Sequence, residues 1–339
     1  MEKKRSFLLD ALSQIFIKPR GIVKMSQVWL PLSLILAAGT GMDPRQEFYG
    51  SLYLLFAVLS KGLSSILIND LTDRKIDRCA GKERWITALP LPGGILIPIF
   101  LLASGFLALI KAGSNIAVLG SYTATVILGI LYSVKPVRFK ERGVWGIVAY
   151  SLSAAILHAL VPWTLFRPAF LLLPLLFSAL IGEKLVQILF HQIVDFDSDS
   201  EGKIKSFAVI SGRRQADRTL RTILNFALGA DAAVLVYIFF ETKGHPLFLW
   251  LIGLACILGV TASGIYVRII SKKMNTSTEL TEMLPWPYLG LSYVLFHLLP
   301  PLSFFRLALP EPRMAVLAML SALSLIGVSI NFLYYNPKK

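Results

Sequence analysis

The chain has 339 residues, of which 55% are hydrophobic and 16% charged, and its formal net charge is +14. A mean hydropathy of +0.66 excludes an ordinary soluble domain and fits a polytopic membrane protein. Two cysteines, Cys79 and Cys256, exclude a disulfide framework.

The polar start, MEKKRSFLLDALSQIF, lacks the long apolar core of a signal peptide, so residues 1–24 read as a cytoplasmic N-terminal segment. About 20 apolar residues cross a bilayer. By that measure the sequence predicts spans over Met25–Met42, Tyr49–Asn69, Gly93–Ile110, Ile116–Tyr132 and Val144–Phe166. Further spans follow over Ala169–Val194, Thr222–Phe240, Phe248–Ile270, Trp286–Phe305 and Met314–Tyr335. The first is short and the ninth carries Pro300 and Pro301, so nine or ten helices are expected. The fold class is all-α, a membrane helical bundle forming one domain over residues 1–339 with its spans within 25–335.

With the N-terminus inside, 26 of the 34 Lys and Arg residues fall on one side. The opposite loops hold Arg45, Lys111, Arg167, Lys243, Arg306 and Arg313, while Lys61 and Lys184 lie within spans. This positive-inside bias makes the basic face cytoplasmic, in the inner membrane if the cell is bacterial. It also accounts for the basic charge without a nucleic-acid partner.

Two acidic clusters fall on that same side. The first closes the second span in Ser65–Trp85, SILINDLTDRKIDRCAGKERW. On a continuous helix Asn69, Asp73 and Asp77 lie about 40° apart in succession and Asp70 about 100° from Asn69, so all four share a face. The second closes the sixth span in His191–Lys205, HQIVDFDSDSEGKIK. There Asp195 and Asp199 are an i, i+4 pair and His191 sits one turn earlier. Each cluster ends an even-numbered span and leads into a basic loop, a weak internal pseudo-repeat. Carboxylates at a membrane helix end are costly unless they hold a cation. Hard cations such as Mg²⁺ suit such oxygen donors, sharing them with substrate phosphate and water, and the adjoining Arg and Lys suit a diphosphate. One His with no nearby Cys does not make a zinc site. The bland alternative is a set of acids that solvate helix ends beside basic residues.

Asn69-Asp70-x-x-Asp73-x-x-x-Asp77 is similar to the first signature of the UbiA superfamily of intramembrane prenyltransferases. Asp195-x-x-x-Asp199, followed by Gly202, Lys205 and Ser206, resembles its second, with Lys205 one residue closer than in aromatic-acceptor members. Leu131–Arg138, LYSVKPVR, looks like the family's loop after the fourth span, and the resemblance covers roughly residues 20–305. It implies a helical barrel around a lipid-open cavity. There Mg²⁺ ions on two aspartate motifs bind a polyprenyl diphosphate donor, and a lipophilic acceptor captures the allylic cation. Carried over, Asp70, Asp73, Asp77, Asp195 and Asp199 become the catalytic and metal-binding set, supported by Asn69. Lys82, Arg84, Lys135, Arg138 and Lys205 become diphosphate contacts and Tyr132 a cavity residue; His191, from its place one turn before Asp195, is a further candidate at the substrate. The acceptor class stays open among a quinone precursor, a tetrapyrrole, a glycerol-phosphate lipid and a sugar phosphate. The YSVKPVRFK loop leans towards members that resemble chlorophyll synthases and archaeal-lipid enzymes.

Other residues fall outside that resemblance. Lys184 projects within about 20° of Asp195 and about 16 Å deeper, a candidate substrate contact or ion-pair partner. Lys61 is turned further from its motif. Asp231 lies mid-span and needs a partner, for which Lys184 is one candidate; His158 and His297 read as core histidines, and Asp197 as solvated. The rival functions are a terpene cyclase using the same metal site and a membrane transporter, though transporters place such charges at the midplane. A CDP-alcohol phosphotransferase would need a DGxxAR-type motif, which the sequence lacks.

Overall fold

The computed structural model describes residues 22–79, 84–168, 170–202, 204–241 and 299–334. Among them every regular element is helical, and the one β-contact is an isolated bridge between Gly143 and Ser206.

The chain enters through α1 (Ile22–Ala37) and α2 (Pro44–Thr72), the latter started by Asp43, whose carboxylate accepts from the Arg45 amide at 2.8 Å, with Pro44 pre-set for the first turn. Two short helices, α3 (Arg74–Cys79) and α4 (Trp85–Ala88), lead to α5 (Leu91–Lys111). Next comes α6 (Ile116–Ser133), capped by Asn115, which accepts from the amides of Ala117 and Val118. After a 3₁₀ turn (Phe139–Glu141), α7 (Val144–Ala155) runs through a π turn (Ile156–Leu160) into α8 (Val161–Phe166). Pro162, just past that turn, cannot donate the amide that an α-helix needs, and the widened turn absorbs the mismatch. The second half comprises α9 (Leu172–Val194), α10 (Phe196–Glu201), α11 (Phe207–Ser211) and α12 (Arg213–Glu241), followed by α13 (Leu299–Ala308) and α14 (Met314–Tyr334).

Six of these segments are long and apolar enough to cross a bilayer: Pro44–Thr72, Leu91–Lys111, Ile116–Ser133, Val144–Phe166, Leu172–Val194 and Arg213–Phe240. Gln27–Ala37 and Met314–Ser324 are shorter apolar stretches. The first predicted span, Met25–Met42, outruns α1, which ends at Ala37; the predicted spans coincide with the six long segments to within a turn, with two exceptions. α2 begins about a turn before Tyr49, and α12 starts at Arg213, nine residues before the predicted Thr222. At about 1.5 Å per residue, 29 residues reach about 43 Å, beyond a hydrocarbon core of about 30 Å. The polar ends of both helices therefore project past the hydrocarbon. The predicted span Phe248–Ile270 and the first part of Trp286–Phe305 lie outside the described residues.

α2 packs most extensively on α5, and α9 on α12, so each helix ending in an acidic motif is backed by the long helix that follows it. Gly182 makes the second contact possible, because a Cβ there would sit 2.9 Å from both Cα and Cβ of Ala227. One apolar core runs through α1, α2, α6, the π turn, α8, α9 and α13, including Trp29, Leu54, Tyr122, Phe166 and Phe304. A second lies beneath the second acidic motif, built from Ile147, Leu189, Ile193, Ala208, Leu220 and Leu224. On the outside, Leu96, Ile99, Phe100, Ile116, Trp145 and Phe240 are exposed, with Phe100 at 72%. In water such a belt would be unfavourable; in lipid it is the ordinary outer surface.

Candidate active site

Each acidic motif holds a break in its helix. α2 stops at Thr72, and Asp73 takes φ −93°, ψ 3°, its amide donating to the carbonyls of Asn69 and Leu71. α9 stops at Val194, and Asp195 takes φ −86°, ψ 5°, its amide donating to His191 and Ile193. One turn further, the Asp77 amide donates to the Asp73 carbonyl and the Asp199 amide to the Asp195 carbonyl, each at 2.8 Å. The same backbone event thus recurs in both halves, a closer echo than the sequence shows.

On helix periodicity Asp70 and Asp77 lie about 20° apart at one edge of the first motif's face, and Asn69 and Asp73 about 40° apart at the other. The motif's carboxylates divide between two sets of cations. Arg84 serves one side, with Nε 3.2 Å from Asp77 and 3.9 Å from Asp70. On the other, Asp73 receives Arg138 Nη2 at 2.8 Å and Lys140 Nζ at 2.6 and 2.7 Å on its two oxygens. Lys140 also donates to Asn69 Oδ1 at 2.9 Å, and Ser133 donates to the same oxygen at 3.4 Å. Arg138 is buried, and its Nε pairs with Glu141 at 2.6 Å.

Backbone geometry makes this clamp. Arg138 sits at φ 42°, in the left-handed region that a side chain seldom adopts, and turns the loop back over Asp73. Gly146 lets the turn settle on α7, since a Cβ there would lie 2.7 Å from the Phe139 carbonyl oxygen and 3.1 Å from the Lys140 Cα. Burial pushes the Lys140 ammonium below the usual lysine range, while its hydrogen bond to Asp73 acts the other way.

The same loop reaches the second motif. The Gly143 amide donates to the Lys205 carbonyl at 3.4 Å, and Gly143 bridges Ser206. Gln192, buried at the end of α9, accepts from the Phe207 and Ala208 amides and so fixes the start of α11. Between these strands of chain lies a cavity of about 400 Å³ lined by Lys135, Arg138, Glu141, Arg142, Gly202 and Lys205, among others. Four cations against one carboxylate make it an anion site in character. Tyr132 lies within electrostatic range of both Asp73 and Asp199, one acid from each motif.

Around the second motif, His191 Nδ1 lies 3.4 Å from Asp195 Oδ2, and Arg213 lies 4.0 Å from Asp197. Lys184, 3% exposed, donates to Gln187 Oε1 at 2.8 Å and lies 6.0 Å from the Tyr150 ring centroid. Tyr150 in turn contacts Tyr132, their centroids 6.0 Å apart, so Lys184 is linked to the site through aromatic contacts. Lys61 donates to Ser153, which donates to the Thr125 carbonyl. Asp231 is buried with Glu183 as its charged neighbour. Lys82 and His297 lie outside the described residues.

Among the described residues no three His, Cys, Asp or Glu side chains converge into a ready metal cage. The donors nevertheless suit a hard cation: the Lys140 ammonium already rests on three oxygens, two from Asp73 and one from Asn69. Lys140, Arg142, Gln192, Tyr150 and Gln187 were missed as site residues from sequence. Lys140 sits two residues past Arg138 in the basic loop, but only the left-handed turn brings both to one carboxylate.

A multi-pass membrane protein with two matched acidic helix ends under one basic loop defines a narrow class. The chain belongs to the UbiA prenyltransferase family, whose model matches residues 28–277, and it is a prenyltransferase. No curated relative matches the chain by sequence. Among solved structures, it is similar to a UbiA homolog from Archaeoglobus fulgidus bound to GPP and Mg²⁺, at 18% identity and a TM-score of 0.55, covering 82% of this chain and 98% of that one. The same homolog bound to DMAPP and Mg²⁺ gives a TM-score of 0.53, again at 18% identity with 82% of this chain and 98% of that one covered. A digeranylgeranylglyceryl phosphate synthase matches at 14% identity and a TM-score of 0.54 over 97% of this chain and 98% of that one.

Proposed function

We propose that this protein transfers a prenyl group from a polyprenyl diphosphate to a lipophilic acceptor, with Mg²⁺ as cofactor and release of diphosphate. The observation that carries the reading is the pair of acidic helix ends, alike in backbone geometry, with a basic loop that holds Arg138 and Lys140 on Asp73 and bonds Lys205 just beyond the second motif. Similar folds binding GPP or DMAPP with Mg²⁺ support the donor class.

In this reading Asp70, Asp73 and Asp77, steadied by Asn69, hold metal on one side, and Asp195 and Asp199 on the other. Bound Mg²⁺ supplies charge neutralisation on the diphosphate oxygens. Arg84, Lys135, Arg138 and Lys205 bind the diphosphate and stabilise the charge it gains as the C–O bond breaks. Tyr132 presents a π face near the carbon end, where an allylic cation would be favoured. The apolar surround keeps water from capturing that cation. In this reading the whole chain is one domain of nine or ten spans, and the excess of Lys and Arg on one side supports a site on the cytoplasmic face.

Purified protein in lipid, offered prenyl diphosphates with Mg²⁺ and a panel of acceptors, tests this. Diphosphate release should need an acceptor and should be lost in Asp73→Ala and in Asp195→Ala. Acceptor-independent release with a hydrocarbon product would replace transfer by cyclisation. Release unaffected by both substitutions would sink the assignment of the two motifs.

A further inference from the structure

Lys140 is the most closely bound cation of the site, and nothing in the proposed chemistry yet uses it. Its ammonium makes contacts of 2.6, 2.7 and 2.9 Å to Asp73 Oδ2, Asp73 Oδ1 and Asn69 Oδ1. That is an oxygen cradle of the kind a hard divalent ion takes, built from the central acid of the first motif and its neighbouring amide. Arg138 occupies Asp73 as well, at 2.8 Å. Asp73 therefore already carries two cations, both largely withdrawn from solvent, with side-chain exposures of 14% for Lys140 and 8% for Arg138. A metal ion approaching Asp73 meets the ammonium where its own ligands lie, and like charges at that distance repel strongly in a poorly solvated site.

Lys140 needs another anion if it is to leave. The adjacent Glu141 is bound to Arg138. The cavity beside it, lined by Lys135, Arg138, Arg142 and Lys205, is where an incoming diphosphate would lie, and Arg138 belongs to both places. A diphosphate there offers Lys140 new oxygens at the moment that metal ions need the old ones.

We propose that Lys140 is a resident counter-ion standing in the metal position of Asp73 and Asn69, so that divalent metal enters this site together with the diphosphate and not before it. The inference rests on the metal-and-diphosphate reading above. It assigns Lys140 two successive partners: Asp73 in the resting site and the diphosphate in the loaded one. The consequence is a site that stays metal-poor until the donor arrives.

Mn²⁺ binding, followed by electron paramagnetic resonance on the full chain in lipid nanodiscs, tests this without turnover. Lys140→Gln and Lys140→Arg are compared with the parent, with and without an unreactive geranyl thiodiphosphate. Without the analogue, Lys140→Gln should bind Mn²⁺ about ten-fold tighter than the parent, as expected on removing an adjacent like charge. Lys140→Arg, which keeps the charge, should stay as weak as the parent. Adding Asp73→Asn to Lys140→Gln should abolish the gain. With the analogue, the parent should bind Mn²⁺ tightly, and Lys140→Gln should bind the analogue itself less well. Donor-free affinity in Lys140→Gln that equals or falls below the parent's overturns the counter-ion role while leaving the metal reading intact. No Mn²⁺ uptake by any of the proteins with the analogue present overturns the metal reading, and this inference with it.

Discussion

Gly146→Ala isolates the positioning of the basic loop from its charges. A Cβ at residue 146 would lie 2.7 Å from the Phe139 carbonyl oxygen and 3.1 Å from the Lys140 Cα, both backbone atoms that cannot rotate away. Restoring ordinary contact requires the 3₁₀ turn to move outward by about 0.5 Å or more. Arg138 and Lys140 reach Asp73 from that turn at 2.6 to 2.8 Å, so the displacement falls directly on the clamp. Displacements approaching 1 Å at a catalytic group cost on the order of 10²-fold, so we expect kcat/KM for prenyl transfer to fall about 10- to 100-fold. Overpacking at one backbone contact costs about 1–3 kcal/mol, so the protein should still fold and show a modest drop in Tm. The assay is diphosphate release in nanodiscs beside thermal unfolding, with Gly120→Ala as control, since a Cβ there meets nothing within 4 Å. Full activity in Gly146→Ala would refute the view that the loop's placement on α7 sets the site.

Three further substitutions probe other parts. Arg84→Gln leaves Asp77 and Asp70 without the guanidinium that lies 3.2 and 3.9 Å away, and donor KM should rise about ten-fold in steady-state titrations, as for loss of a partly buried charge-assisted contact. An unchanged KM would remove Arg84 from the donor site. Gly182→Leu drives a side chain into the backbone of Ala227, and Tm in detergent should fall by several degrees, with a loss of about 2 kcal/mol or more; a parental Tm would show that α9 and α12 are not packed this closely. Gln192→Leu removes the acceptor for the Phe207 and Ala208 amides, so hydrogen exchange at these two amides should speed up and stability should drop by about 1–2 kcal/mol. Exchange at the parental rate would mean that Gln192 does not hold the start of α11.

Much of this protein was legible in its sequence because a bilayer imposes a simple length rule. Long apolar runs had to become helices, since no other short element satisfies its backbone in lipid, and the six long spans fell where hydropathy placed them. That Asp73 and Asp195 stand at the ends of their helices was equally legible, and carboxylates there are rare and costly. Tertiary structure alone decided what those carboxylates face. Periodicity puts Asp70 and Asp77 at one edge of the motif's face and Asp73 at the other, but that Arg84 meets the first edge and Arg138 with Lys140 the second was set by the fold. No local rule could predict that, because the left-handed turn at Arg138 and the missing Cβ at Gly146 act across 65 residues of chain, from loop to motif. Asp231, for which the sequence offered Lys184 as a candidate partner, has Glu183 as its charged neighbour for the same reason. A sequence states the charges a membrane protein must bury, but which charges meet is set by how its helices pack.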